Sequence, residues 1–136
     1  MSILLLPLLL VAAQAQPAAH SPAVQEEIVV LGNSLARWTG NYQVRGSRAK
    51  CATKKSSGDS AVDAIGCTSF EACLPRLQDR IDVSDRKDLA KSVRADMKAL
   101  IKHDLSTCVA QERDQALADL AERRFQTRQR TTNASN

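Results

Sequence analysis

Aromatic side chains are almost missing from this chain: one Trp, one Tyr and two Phe stand among 136 residues. Aromatics bring the largest apolar areas to a core, so the core built here is aliphatic and small. Histidine is scarcer still, with two residues, His20 and His103. Nucleophilic hydrolysis needs a base held beside the nucleophile. His20 lies in an Ala/Pro/Gln-rich segment, and His103 falls near the expected end of a helix, where the dipole favours a cation. Gly-x-Ser-x-Gly, a phosphate loop, a dinucleotide fingerprint and His-Glu-x-x-His are all lacking. The sequence therefore offers no catalytic residue, no metal ligand set and no cofactor, and it reads as a protein that is not an enzyme. Long apolar runs are lacking too. The longest, Ile3 to Ala13, falls short of the roughly 20 residues that a helix needs to cross a bilayer.

That short run gains its meaning from the residues after it. Ala13-Gln14-Ala15 is a small-x-small site, and the two together read as an export signal cleaved after Ala15. The domain plan is then a signal peptide over 1–15, a flexible leader over 16–25, one domain over 26–125, and a disordered basic tail over 126–136. Removal of the signal leaves about 121 residues, enough for one domain and not two. The expected localisation is periplasmic or secreted, with no transmembrane segment after cleavage.

Four cysteines, Cys51, Cys67, Cys73 and Cys108, all lie beyond the signal. An even number in a small exported chain reads as two disulfides, for which four cysteines allow three connectivities. The spacing in CTSFEAC is neither the C-x-x-C of a thioredoxin-like site nor half of a zinc ribbon. A zinc set of Cys67, Cys73, Cys108 and His103 is the competing assignment. Staples reaching backward and forward, Cys51–Cys67 and Cys73–Cys108, are the pairing expected.

The fold expected is mainly α with a small β-hairpin, a disulfide-stapled small single domain. Ile28 to Leu31 is a β-branched run stopped by Gly32-Asn33, which predicts a brief strand. Tyr42 and Val44 alternate with polar residues, as do Ala49, Cys51 and Thr53, so a hairpin turning at Gly46-Ser47 is expected. Asp59 opens a short helical turn that Gly66 ends at C′. Thr68 and Glu71 have capping-box spacing, and Pro75 breaks or kinks the helix they open, restarting it with the proline in a first turn. Leu89, Val93, Met97, Leu100, Ile101 and Leu105 recur at threes and fours, the mark of an amphipathic helix. The pattern resumes through Leu117 and Leu120, so 85–125 forms either one bent helix or two separated near Ser106. Asp79, Asp82, Asp85 and Asp88 are interleaved with Arg80, Arg86 and Lys87, which reads as caps and ion pairs rather than a metal face.

Three resemblances bear on function. EEIVVLG (Glu26 to Gly32) is similar to the opening of the plug domain in TonB-dependent outer-membrane receptors; that likeness spans these residues alone and carries no receptor activity. With RWTGNYQV (Arg37 to Val44) and the four cysteines, the same segment resembles small, uncharacterised exported proteins of alphaproteobacteria. LSTCVAQERDQALADL is similar to the Cys-bearing helix of secreted lysozyme-inhibitor-like domains through Cys108, Ala110, Glu112, Ala116, Asp119 and Leu120.

Charge is unevenly spread. Arg37, Arg45, Arg48, Lys50, Lys54 and Lys55 fall in one stretch without an acid, while the chain as a whole carries net +4. The remainder is thus net −2. With Trp38 and Tyr42 this stretch is the candidate binding surface, since cations beside aromatics suit anionic polymers. Lysines on a strand pair also discourage edge-to-edge pairing. Arg123, Arg124, Arg128 and Arg130 make a second basic cluster. The functional expectation is an exported, non-catalytic interaction module of the cell envelope, its partner an anionic envelope component or a protein rather than a specific nucleic acid. The alternative is an inhibitor of a secreted enzyme such as lysozyme.

Overall fold

The computed structural model describes residues 19–45 and 48–134. The signal over 1–15, its cleavage point, the Gly46-Ser47 turn and the side chain of Arg45 lie outside the described residues. The order of elements is α1 (Pro22–Arg37), β1 (Thr39–Arg45), β2 (Arg48–Lys55), α2 (Ser60–Cys73), a 3₁₀ turn (Leu74–Leu77), α3 (Gln78–Ser84) and α4 (Lys91–Ala134). The expected class is what is found: a mostly helical small domain with one antiparallel hairpin and two disulfides. Among the described residues no helix is long and apolar enough to cross a membrane.

Helix α1 replaces the strand read at Ile28 to Leu31 and shortens the leader. Ser21 caps it, its Oγ accepting from the Val24 amide at 3.4 Å, and Pro22 occupies the first turn, where its missing N–H has no partner to lose. Val24, Ile28, Leu31 and Leu35 recur at fours and threes and put one stripe against the core. Four β-branched or Leu residues in a row look like a strand only when the neighbours on either side are ignored.

The core is one cluster drawn from three helices: Val24 and Leu31 of α1, Val62 and Ile65 of α2, and Leu117, Leu120 and Ala121 of α4. Helix α2 starts as expected at Asp59, whose carboxylate accepts from the amides of Ala61 and Val62 at 3.0 and 3.4 Å. It does not stop at Gly66 but runs on to Cys73. Thr68 is mid-helix, its hydroxyl bonded back to the Ala64 carbonyl at 2.9 Å, so the Thr68/Glu71 capping box does not form. Pro75 acts as expected, taking the first positions of the 3₁₀ turn that leads into α3.

Helix α4 is continuous over 44 residues, about 66 Å at 1.5 Å per residue. The hydroxyls of Ser106 and Thr107, read as a capping site, instead bond back to the His103 carbonyl at 2.7 and 3.2 Å. His103 is therefore in the body of a helix and not near its end. Residues 126–134, expected to be disordered, extend the same helix, with Arg124 and Arg128 fastened to Glu27 of α1.

The two disulfides take the expected pairing. Cys51–Cys67 joins β2 to α2 and Cys73–Cys108 joins α2 to α4. Two such bridges suit the fold to an oxidising compartment. The zinc set of Cys67, Cys73, Cys108 and His103 is not formed, because Cys67 belongs to a different bridge from the other two. Cys73, Cys108 and Glu112 do lie together, but both sulfurs are bonded to each other, and Glu112 is paired with Arg76 at 2.6 Å.

Candidate functional site

The hairpin owes its position to three aromatic residues and one arginine. Trp38 ends α1 with an extended backbone, its N–H still bonded to the Leu35 carbonyl at 3.0 Å, and so turns the chain into β1. Its indole is buried, and Nε1 donates to Thr53 Oγ1 on β2 at 3.0 Å. The ring lies against Gly66: a Cβ there would stand 2.6 Å from the indole, closer than carbon atoms approach. Gly66 is a packing glycine, which explains why it does not end α2.

Tyr42 is half-buried beneath the hairpin. Its ring stacks on Phe70 with centroids 4.1 Å apart, and its hydroxyl donates to the Gly66 carbonyl at 3.2 Å. Arg113, reaching from α4, donates to the Tyr42 hydroxyl at 2.8 Å and holds its guanidinium 5.4 Å from the centre of the Trp38 ring. A cation over an indole contributes about 0.5–2 kcal/mol according to its exposure. The Cys51–Cys67 bridge closes the arrangement. Trp38, expected on the binding surface, is thus buried, and Tyr42 packs on the inner side of the hairpin, opposite Arg48, Lys50 and Lys54.

The loop into α2 is fixed as firmly. Asp63 accepts from the hydroxyls of Ser56 and Ser57 at 2.5 and 2.6 Å and from the Ser57 amide at 2.7 Å. These bonds, Ser56 foremost, hold its carboxyl below the ordinary carboxylate range. At Asp59, burial pushes the carboxyl up, but the Arg124 guanidinium at 2.7 Å and the two capping amides outweigh it and leave the group lowered. Gly58 supplies the positive φ of 91° that this turn requires.

What remains outside is basic. Alternation places Gly40, Tyr42, Ala49 and Cys51 on the inner face of the hairpin and Asn41, Gln43, Arg48, Lys50 and Lys54 on the outer. Lys50 is paired across the strands with neutral Gln43, and Asn41 with Ala52. Arg48 and Lys50 are two residues apart, about 7 Å along the strand. Arg37, Arg48, Lys50, Lys54 and Lys55 are all exposed, and among the described residues none is within ion-pairing distance of a carboxylate. Arg37 only donates to Ser34 Oγ, at 3.1 Å.

Six cations elsewhere are ion-paired. Arg76, Arg80, Arg86 and Lys98 pair with Glu112, Asp104, Asp88 and Asp85. The carboxylates Asp85 and Asp88 thus serve as ion-pair partners, as expected of that run. In the second basic cluster, Arg124 is shared between Asp59 and Glu27, and Arg128 pairs with Glu27, so half of that cluster works inside the fold. The contribution of Arg113 is not legible from motif or spacing, although an arginine between Val109 and Leu117 on an apolar stripe is the kind of position that needs a partner. Of the residues on which a lysozyme-inhibitor likeness was expected, Cys108 is bridged to α2, Glu112 is ion-paired and Leu120 is in the core.

Compared with protein-family models, with curated proteins and with solved structures, the chain matches none.

Proposed function

We propose that this protein is an exported, non-catalytic binding module of the cell envelope that presents the outer face of its hairpin to an anionic partner. One observation carries the reading: Arg48, Lys50 and Lys54 stand in a row, exposed and unpaired, in a stretch that holds no acid. Such a row repels itself and contributes nothing to holding the fold. The hairpin beneath it is covalently tied to α2 and clamped by Trp38 and Arg113, so the charges are presented on a rigid support and little ordering entropy is lost on binding. The two bridges support an oxidising compartment, and with the export signal they point to the periplasm or the exterior.

The test is binding to anionic vesicles and to a soluble polyanion across a salt series. Exposed charges are screened within about 10 Å at 0.1 M and about 3 Å at 1 M, so binding should fall steeply over that range. Arg48→Gln/Lys50→Gln/Lys54→Gln should lose it while the melting temperature is unchanged. If the wild-type protein retains neither vesicle nor polymer at low salt, the reading is wrong. A one-to-one complex with a secreted enzyme such as lysozyme, stable at high salt and indifferent to the triple substitution, would establish the inhibitor reading in its place.

A further inference from the structure

A second surface feature lies away from the cationic row. Between the hairpin and the middle of α4 runs an open groove of about 320 Å³. One wall is the stacked pair Tyr42 and Phe70, and the other is Leu105 and Val109 of α4. It exists because the packed side of α4 changes along its length: Ile101 is buried and Cys108 is bridged to α2, whereas Leu117, Leu120 and Ala121 belong to the core cluster. The stripe between these two faces is left uncovered beside the aromatic pair.

The two ends of the groove are cationic and no acid lines it. Lys102, exposed at one end, has no carboxylate partner among the described residues. Arg113, at the other, is engaged only by neutral acceptors, the Tyr42 hydroxyl and the Gly66 carbonyl, and its Nε has no partner. The lining is therefore apolar along its walls and uncompensated positive at its ends. Because Arg113 is already held by Tyr42 and Gly66 and lies over the Trp38 ring, Lys102 is the cation of the lining free to take an anion, and the groove complements an apolar body with a single negative head.

We infer that the groove between Tyr42/Phe70 and α4 is a binding site for a single-chain amphiphilic anion, a medium-chain carboxylate. The head lies at Lys102, the accessible cation, and the chain runs over Leu105 and Val109 toward the aromatic pair. Size agrees with this. At about 30 Å³ per water-sized group, the groove holds about ten non-hydrogen groups. The distance from Lys102 to Val109 is about 10 Å along the helix. A short acid such as acetate leaves the apolar walls uncovered.

Decanoate, used below its micellar concentration, is the probe, with titration calorimetry as the readout and decanol and decyltrimethylammonium as controls. Saturable one-to-one binding of decanoate is expected, about tenfold weaker binding of decanol, and none of the cationic analogue. Lys102→Gln should weaken decanoate about three- to fivefold, the range of an exposed charge pair. Val109→Glu should abolish binding with the circular dichroism spectrum and both disulfides intact, and Leu105→Glu repeats the test should the first variant fold poorly. The hairpin triple variant should bind decanoate as the wild type does, which separates this site from the cationic row. Absence of saturable binding, equal binding of decanoate and decanol, or full binding by a folded Val109→Glu would overturn the inference.

Discussion

Replacement of Cys73 and Cys108 together by Ala should divide this protein into a stable part and a loose one. Alanine is the choice because Cys73 is wholly buried, and a serine hydroxyl there would lack a partner. The bridge spans 35 residues of sequence, so the chain-entropy relation assigns it about 4 kcal/mol, against about 3 kcal/mol for the 16-residue span of Cys51–Cys67. For a domain of this size about 4 °C of melting temperature accompanies each kcal/mol, which gives a fall of about 15 °C. The loss should not be spread evenly. Apart from Ala116 at its edge, the core cluster takes nothing from residues 74–116. In that arm Leu74, Ser84 and Ile101 are buried, and α3 is otherwise held to α4 by Arg80–Asp104 and Lys98–Asp85, pairs exposed by roughly half. Exposed pairs of this kind contribute about 0–1 kcal/mol each. Hydrogen exchange should therefore show amides over 78–104 opening first in the double variant, with those over 113–125 protected until global unfolding. A uniform loss of protection across α4, or a melting temperature within about 3 °C of wild type, would refute the reasoning.

Two further outcomes concern the cap and the indole. Asp59→Ala removes the helix cap and the Arg124 pair and should cost about 2 kcal/mol, whereas Asp59→Asn keeps a capping acceptor and should cost less than half of that in urea titration. Because the folded carboxyl of Asp59 is lowered, its stabilisation is complete above the ordinary carboxylate value near 3.8 and is lost as pH falls below it; the Asn variant should accordingly lose less stability than wild type between about pH 4 and pH 2. Gly66→Ala drives a methyl into the Trp38 ring and should cost about 1–3 kcal/mol, with a shift in Trp38 fluorescence that Gly32→Ala, whose methyl meets nothing within 4 Å, does not produce.

How far the sequence discloses this fold depends on where the deciding contact lies. The hairpin and the start of α2 at Asp59 are legible because a few neighbouring residues determine them, and the disulfide pairing because four cysteines leave only three connectivities to choose among. Helix α1 is equally legible, since Ser21-Pro22 and the stripe from Val24 to Leu35 spell a capped amphipathic helix, yet the run Ile28 to Leu31 outweighs it when viewed alone. Gly66 and Arg113 belong to another category. Gly66 is required by an indole 28 positions earlier, and Arg113 by a tyrosine 71 positions earlier, and no local window contains either pair. The same distance hides the true place of Trp38 and Tyr42: alternation shows that they share a strand pair with the lysines, but not that α2 covers their face. The unpaired state of Arg48, Lys50 and Lys54 is foreshadowed by the lack of acids in the segment. That Arg124 and Arg128 are neutralised can be learned only from the packing of α1 on α4.

The length of α4 has a consequence for how the chain comes to be folded. The core needs Val24 and Leu31 from one end of the described chain and Leu117 to Ala121 from the other, and the Arg128–Glu27 contact closes a loop of 101 residues. Contacts so remote in sequence form late and slow the search. As the chain emerges from the ribosome, α1 and α2 have each other but lack the helix that completes their apolar faces until residue 121 has been made. Until then the polypeptide is obliged to stay open. Its sulfurs keep the same schedule: Cys51 and Cys67 can meet within a local segment, whereas Cys73 must wait for Cys108 to be delivered by α4. A chain built this way remains threadable until residue 121 has been made, and α4 is what locks it.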